Sequence, residues 1–211
     1  MKNEDLLDLS ISNREQEFVN KALDLELDVT IDIFEMLSDI PCIGSLLKLG
    51  MVGSKYMELQ FIKKVAKFLR ADIEISQKEK LEFLDKLSAK KRKRMVDYIL
   101  QYILRAEDDE KADLMGYIYK ACVLGQIDYD MFLRLCSIVD HAFLYDLRML
   151  PMYVNRNEEY TIAANNFINL GLIDNSVSGM LVNVPSYKLN GIGLKLHDIL
   201  EKNKWFISDS E

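Results

Sequence analysis

A mainly α-helical protein with a small α+β part at its C-terminal end is what this sequence predicts, and three observations carry that reading. Gly and Pro are sparse, nine and three among 211 residues, which leaves long segments rich in Leu, Ile, Lys, Glu and Asp, a composition that favours helix. Apolar residues recur at three- and four-residue steps along most of the chain, the period of an amphipathic helix. Past Pro151 the texture changes to short segments that suit a hairpin. With 49% hydrophobic and 29% charged residues, the chain has the composition of a globular protein rather than of a disordered one.

The elements follow in order. Phe18, Ala22, Leu25, Val29, Ile33 and Met36 form one stripe of a helix over 14–38, whose other faces are acidic. Pro41 disfavours helical geometry at Ile40 and lacks a donor, so this helix ends there and a second runs over about 43–70. Ser76 with Glu79 makes a capping box for a helix over 76–87. A further helix over 95–105 carries Val96, Ile99, Leu100, Ile103 and Leu104. The acidic run Glu107–Glu110 suits the N-terminal end of the next, which stops at Gly125. Asp128 caps a helix to about Leu150, ended by Pro151. A helix over 158–170 ends at Gly171, two strands follow at 178–184 and 186–189, and Asn190 caps a last helix over 191–202. The expected division is a helical body over 1–138 and a small module over 139–211.

Charge is segregated along this order. Residues 1–39 hold three basic and eleven acidic residues, a net of −8, and 48–94 hold fourteen against six, a net of +8. The remainder carries ten against seventeen, and the whole chain is −7. Two readings stand: an acidic helix pairs internally with a basic one, or the basic middle faces an anion and the acidic segment partly masks it. The candidate anion-binding cations are Lys63, Lys64, Lys67 and Arg70, followed by Lys90, Lys91, Arg92, Lys93 and Arg94. Their partner would be an anionic membrane or a short single strand of nucleic acid.

Between the acidic and basic stretches lies the block from Ile40 and Pro41 through Gly44, Leu47, Gly50 and Gly53. Small and apolar residues in that density mark a membrane-active or helix-packing element. It is too short to span a bilayer alone, since roughly 20 apolar residues are needed. The candidate membrane-active segment is therefore set at 29–57. Its apolar surface, with that of the helices at 14–38 and 43–70, exceeds what one hairpin covers and points to a homo-oligomer.

No motif points to an enzyme. His141 and His197 lie far apart on amphipathic helices, and no nucleophile is spaced to either. The glycines lack the Lys-Ser/Thr ending of a phosphate loop. Cys42, Cys122 and Cys136 show no metal-ligand spacing, and an odd number of thiols argues for a reducing cytoplasm. Asp108, Asp109 and Glu110 are read as helix-dipole residues, so no metal and no cofactor are expected. The N-terminal residues lack the basic-then-apolar order of a secretory signal.

Two resemblances add to this. Leu170-Gly-Leu-Ile, a hairpin, then Tyr187-x-Leu-x-x-x-Gly-x-x-Leu resembles the recognition helix, wing and closing helix of winged-helix domains over 139–204. Its recognition helix would carry no Lys or Arg beyond Arg156, which argues against duplex DNA. Tyr160, Phe167, Tyr187 and Trp205 stand as candidate stacking faces for single strands, or as core residues. The stretch Ile40-Pro-Cys-Ile-Gly-Ser-Leu-Leu-Lys-Leu-Gly-Met-Val-Gly-Ser-Lys, with Phe61-Ile-Lys-Lys-Val-Ala-Lys-Phe-Leu69, resembles small bacterial abortive-infection proteins, among them the membrane effectors of Hailong-type anti-phage systems. That resemblance implies a non-enzymatic effector, paired with a nucleotidyltransferase and held inactive by a nucleic-acid signal. It would be cytoplasmic at rest and associated with the inner membrane on activation. Asp32, Glu35, Asp39 and Lys48 interrupt the apolar region and depart from a plain channel pattern. The alternative reading is a cytoplasmic winged-helix regulator or adaptor binding protein or nucleic acid.

Overall fold

The computed structural model describes residues 55–72, 74–154, 161–177 and 185–207. The helix expected over 14–38 and the glycine-bearing block lie outside them. The described residues are mainly helical, with eight α-helices and one two-stranded sheet. The chain divides into two units, Met1–Tyr129 and Asp130–Glu211.

In the first unit, α1 (Lys55–Asp72) buries Phe61, Ile62, Val65, Ala66, Phe68 and Leu69. α2 (Gln77–Lys86) begins at the expected capping box, with the Ser76 hydroxyl accepting from the Glu79 amide and the Glu79 carboxylate accepting from the Ser76 amide. α3 is longer than the periodicity indicates. It spans Ala89–Arg105, because Ser88 caps it and accepts from the Lys91 amide, so the basic run lies inside the helix rather than before it.

α4 (Asp109–Val123) is the central helix, buried on nearly all sides. Asp108 caps it, accepting from the Glu110 amide at 2.9 Å. It closes at Gly125, which has φ of 69°. The Gly125 amide donates to the Cys122 carbonyl and the Gln126 amide to that of Ala121, an arrangement that satisfies carbonyls the helix leaves open and that favours a residue without a Cβ.

α1 and α4 run parallel, since Lys67 and Arg70 face Asp113, Arg70 also meets Tyr117, and Glu74 meets Lys120. A parallel pair requires the chain to return between them, and α2 and α3 supply that return. The two backbones come very close at Gly116, where a Cβ would sit 2.4 Å from the Phe68 carbonyl oxygen.

In the second unit, the single helix expected from Asp128 to about Leu150 is broken. α5 (Tyr129–His141) ends early, α6 (Leu144–Leu147) follows after the extended residue Phe143, and a 3-10 turn covers Leu150–Tyr153. The bend turns Ala142, Leu147, Leu150 and Tyr153 into the core. Pro151 starts that turn instead of ending a helix, a place where its missing donor costs little.

α7 (Ile162–Asn169) is capped by Thr161, whose hydroxyl accepts from the Ala164 amide and also meets the Tyr153 hydroxyl at 2.6 Å. Like α4 it closes on a left-handed glycine, Gly171. The strand expected at 178–184 lies outside the described residues. β1 is Ile173–Val177 and pairs antiparallel with β2, Pro185–Leu189. The register explains why: Ile173 opposes Leu189 and both are buried, while Asp174 opposes Lys188 and both face water.

α8 (Gly191–Lys202) lies where expected. Its cap Asn190 does more than cap. Its side-chain carbonyl accepts from the Ile192 and Gly193 amides, while its side-chain amide reaches the Gly171 carbonyl at 2.9 Å and Asp174 at 3.2 Å. Gly193 then lets α8 approach β1, since a Cβ there would sit 2.4 Å from the Leu172 carbonyl oxygen.

Candidate functional site

The cations of the basic middle separate into two groups with different surroundings. Along α1 three of the four turn inward. Lys64 donates to the Ala106 carbonyl. The Arg70 guanidinium donates to Asp113 Oδ2 at 2.9 Å and to the Tyr117 hydroxyl at 3.2 Å, and Lys67 Nζ stands 3.6 Å from the same Asp113 oxygen. Only Lys63 of the four has no such role; it is half-buried among the described residues. For α1, internal pairing is therefore what the geometry displays, with α4 as the acidic partner among the described residues.

Asp113 is the centre of this arrangement and was missed in the sequence. It is 3% exposed. Burial pushes its carboxyl up to about 6, against the opposing pull of Arg70 and Lys67. Its Oδ1 has no hydrogen-bond partner among the described residues, so that oxygen is the natural seat of a proton. Burial, and after it Asp113, raises the neighbouring Tyr117 hydroxyl too. Burial alone would lower the Arg70 guanidinium, but Asp113 and Tyr117 together hold it above its ordinary value.

The second group is the opposite in character. Lys90, Lys91, Arg92, Lys93 and Arg94 are all exposed, and they occupy the opening turns of α3, whose first turn contains no acidic residue. Cations at a helix N-terminus oppose the macrodipole, each by about 0.3–1 kcal/mol at an exposed site. Several are nonetheless held in place. Arg92 Nε donates to the Leu87 carbonyl at 3.0 Å, and Lys91 Nζ lies 5.1 Å from the Tyr129 ring centre.

Arg94 opens a column along α3. Its guanidinium covers the Tyr98 ring at 5.3 Å, Tyr98 stacks on Tyr102 at 6.0 Å, and Arg105 covers Tyr102 at 5.7 Å. Tyr98 is thus already engaged by both an arginine and a tyrosine. This surface offers positive charge rather than stacking.

The aromatic candidates of the second unit are core residues: Phe167, Tyr187 and Trp205 are all buried. Tyr160 lies outside the described residues, as do Ile40, Pro41, Gly44, Leu47, Gly50 and Gly53. No described helix is long and apolar enough to cross a membrane. Cys122 and Cys136 are buried and neither forms a disulfide. Burial, then Asp128, pushes Cys122 up to about 12, which leaves it a thiol and not a nucleophile at neutral pH.

The outward face of α7 carries Ile162, Asn165 and Asn169, all exposed and uncharged. Asn166 is turned toward Asp146, to which it donates at 2.6 Å. Comparison with protein-family models, with curated proteins and with solved structures finds no match to this chain.

Proposed function

We propose that this protein is a non-enzymatic effector of the abortive-infection kind, which docks on an anionic membrane through the start of α3 and perturbs the bilayer through residues 29–57. The observation that carries the reading is the exposed run Lys90–Arg94, gathered at a helix N-terminus against the macrodipole. An electrostatic cost at a position that contributes nothing to the core is what an anion-facing surface explains, and each cation near an anionic leaflet adds about 1 kcal/mol. α1, which follows the glycine-bearing block in sequence, is fastened to α4. A partner or nucleic-acid signal that binds the resting state better than the active one would hold it inactive.

A second reading has its own support. The order α7, β1–β2, α8 supports a winged-helix-like reading, and the uncharged α7 face, with exposed Phe143 and Tyr145 on the same unit, suits a protein partner better than duplex DNA.

The test joins two measurements. Lys90→Glu/Lys93→Glu is expected to lower co-flotation with vesicles containing anionic lipid, more so at low salt, while Gly50→Leu/Gly53→Leu is expected to abolish toxicity and loss of membrane potential on expression. Undiminished toxicity and flotation in both variants would remove the membrane reading. Binding of short single-stranded DNA without toxicity would favour the regulator.

A further inference from the structure

We propose that His197, Asp198 and Glu201 of α8 form a binding site for a divalent first-row transition metal of the Zn2+ or Co2+ class. One ligand atom from each residue lies within 4.8 Å of the others. The second observation concerns the histidine alone. His197 is 6% exposed, and its Nδ1 is buried without a hydrogen-bond partner among the described residues. The nearest carboxylate oxygen, Asp198 Oδ1, stands 3.5 Å away, too far for a good N–H···O bond. An unpaired polar atom in that position is destabilising, and a cation held between the ring and the carboxylates would pair it.

The ring is held by packing as well. It stacks on Phe206, with centroids 5.3 Å apart and planes at 24°, and Phe206 sits in the 3-10 turn Trp205–Ile207 that follows α8. Sequence spacing agrees with the geometry. His197 and Glu201 are one helical turn apart, on the same side of α8, and Asp198 closes the third position. The two carboxylates are exposed, and a cation held between them would relieve their mutual repulsion. One imidazole and two carboxylates form a borderline donor set, suited to Zn2+, Co2+ or Mn2+ and less to the all-oxygen shell of Ca2+ or Mg2+. Three protein ligands leave positions for water, and the bound ion would tie the last turn of α8 to its carboxylate fringe while the turn bearing Phe206 holds the ring.

The experiment uses the full, untagged chain freed of metal by a chelator. Co2+ is titrated and followed by its visible d–d absorption, and Zn2+ by calorimetry. Trp205 is the only tryptophan of the chain and lies against Phe206, with centroids 5.2 Å apart, so its fluorescence reports on the same place. The expected result is saturation at one equivalent, a change in Trp205 emission, and at least tenfold weaker binding in His197→Gln and in Asp198→Asn/Glu201→Gln. Because both carboxylates are exposed, the double variant tests the site without disturbing the core. Absence of saturable binding overturns the proposal. So does equal affinity in the double variant, which would place the ion elsewhere, for example on a thiol.

Discussion

Asp113 is a buried acid whose charge is held at a cost. Its carboxyl sits near 6 in the folded protein, above the ordinary 3.8, so the folded state binds this proton more tightly than the unfolded state does. The stability it contributes is fully present below about 3.8 and is lost as pH rises through about 6. A shift of about two units corresponds to about 3 kcal/mol. Asp113→Asn should therefore gain on wild type by about 2–3 kcal/mol between pH 4 and pH 7, as read by urea denaturation at the two values. A difference that stays constant with pH would mean that Arg70 and Lys67 neutralise the carboxylate fully. Lys204 shows strain of another kind, with φ of 57° at the end of α8, where a side chain crowds the backbone by about 1 kcal/mol. Neither residue could be singled out beforehand: Asp113 looks like one more acid in a charged helix until α1 covers it. The three residues of α8 proposed to bind metal were more accessible, because His-Asp-x-x-Glu is visible on one helical turn. Weighing His197 only against the distant His141 concealed that pattern.

At the scale of elements, the α1–α4 pair depends on a glycine. Gly116→Val places branched carbon where the Phe68 carbonyl stands, with the Ala71 side chain 3.2 Å from the new Cβ. The helices must separate, losing the Arg70 and Lys67 contacts to Asp113 along with apolar packing. A loss of about 3 kcal/mol or more is expected from such overpacking combined with a broken buried network, measured as a lowered midpoint in thermal or urea unfolding. Near-native stability would indicate that the helices lie farther apart than described. Helix ends were the readable part of this fold. Ser76 with Glu79, Asn190, Gly125 and Gly171 act through atoms a few residues away, so the local sequence suffices to place them. β1 was not legible because Asp174, Asn175 and Ser176 have the look of a loop. Only the pairing of Ile173 with Leu189 makes that segment a strand, and that information lies sixteen residues downstream. The break after α5 is likewise dictated by where Leu147, Leu150 and Tyr153 must go to reach the core.

For the whole molecule, the mainly helical class followed from composition and period, whereas the fate of the basic middle did not. Lys67 and Lys93 are indistinguishable as letters, yet one faces a buried carboxylate and the other water. Self-association is the prediction that belongs at this scale. The apolar stripe expected over 14–38 and the block at 43–54 together carry more apolar positions than one hairpin covers, which points to burial against other copies. Light scattering at micromolar concentration should give a mass at least twice 24.5 kDa. A clean monomer would count against an effector built from several copies and would move the regulator reading ahead.

The parallel pairing of α1 and α4 also has a consequence for how the protein is made. A ribosome that has finished α1 at Asp72 must add about 50 more residues before α4 is complete, and at about 5–20 residues per second this takes roughly 3–10 s. Throughout that interval the nascent chain presents Phe61, Ile62, Val65 and Leu69 without their partner, immediately behind the most apolar stretch it contains. Chaperones therefore have access to this surface before the protein's own core can claim it.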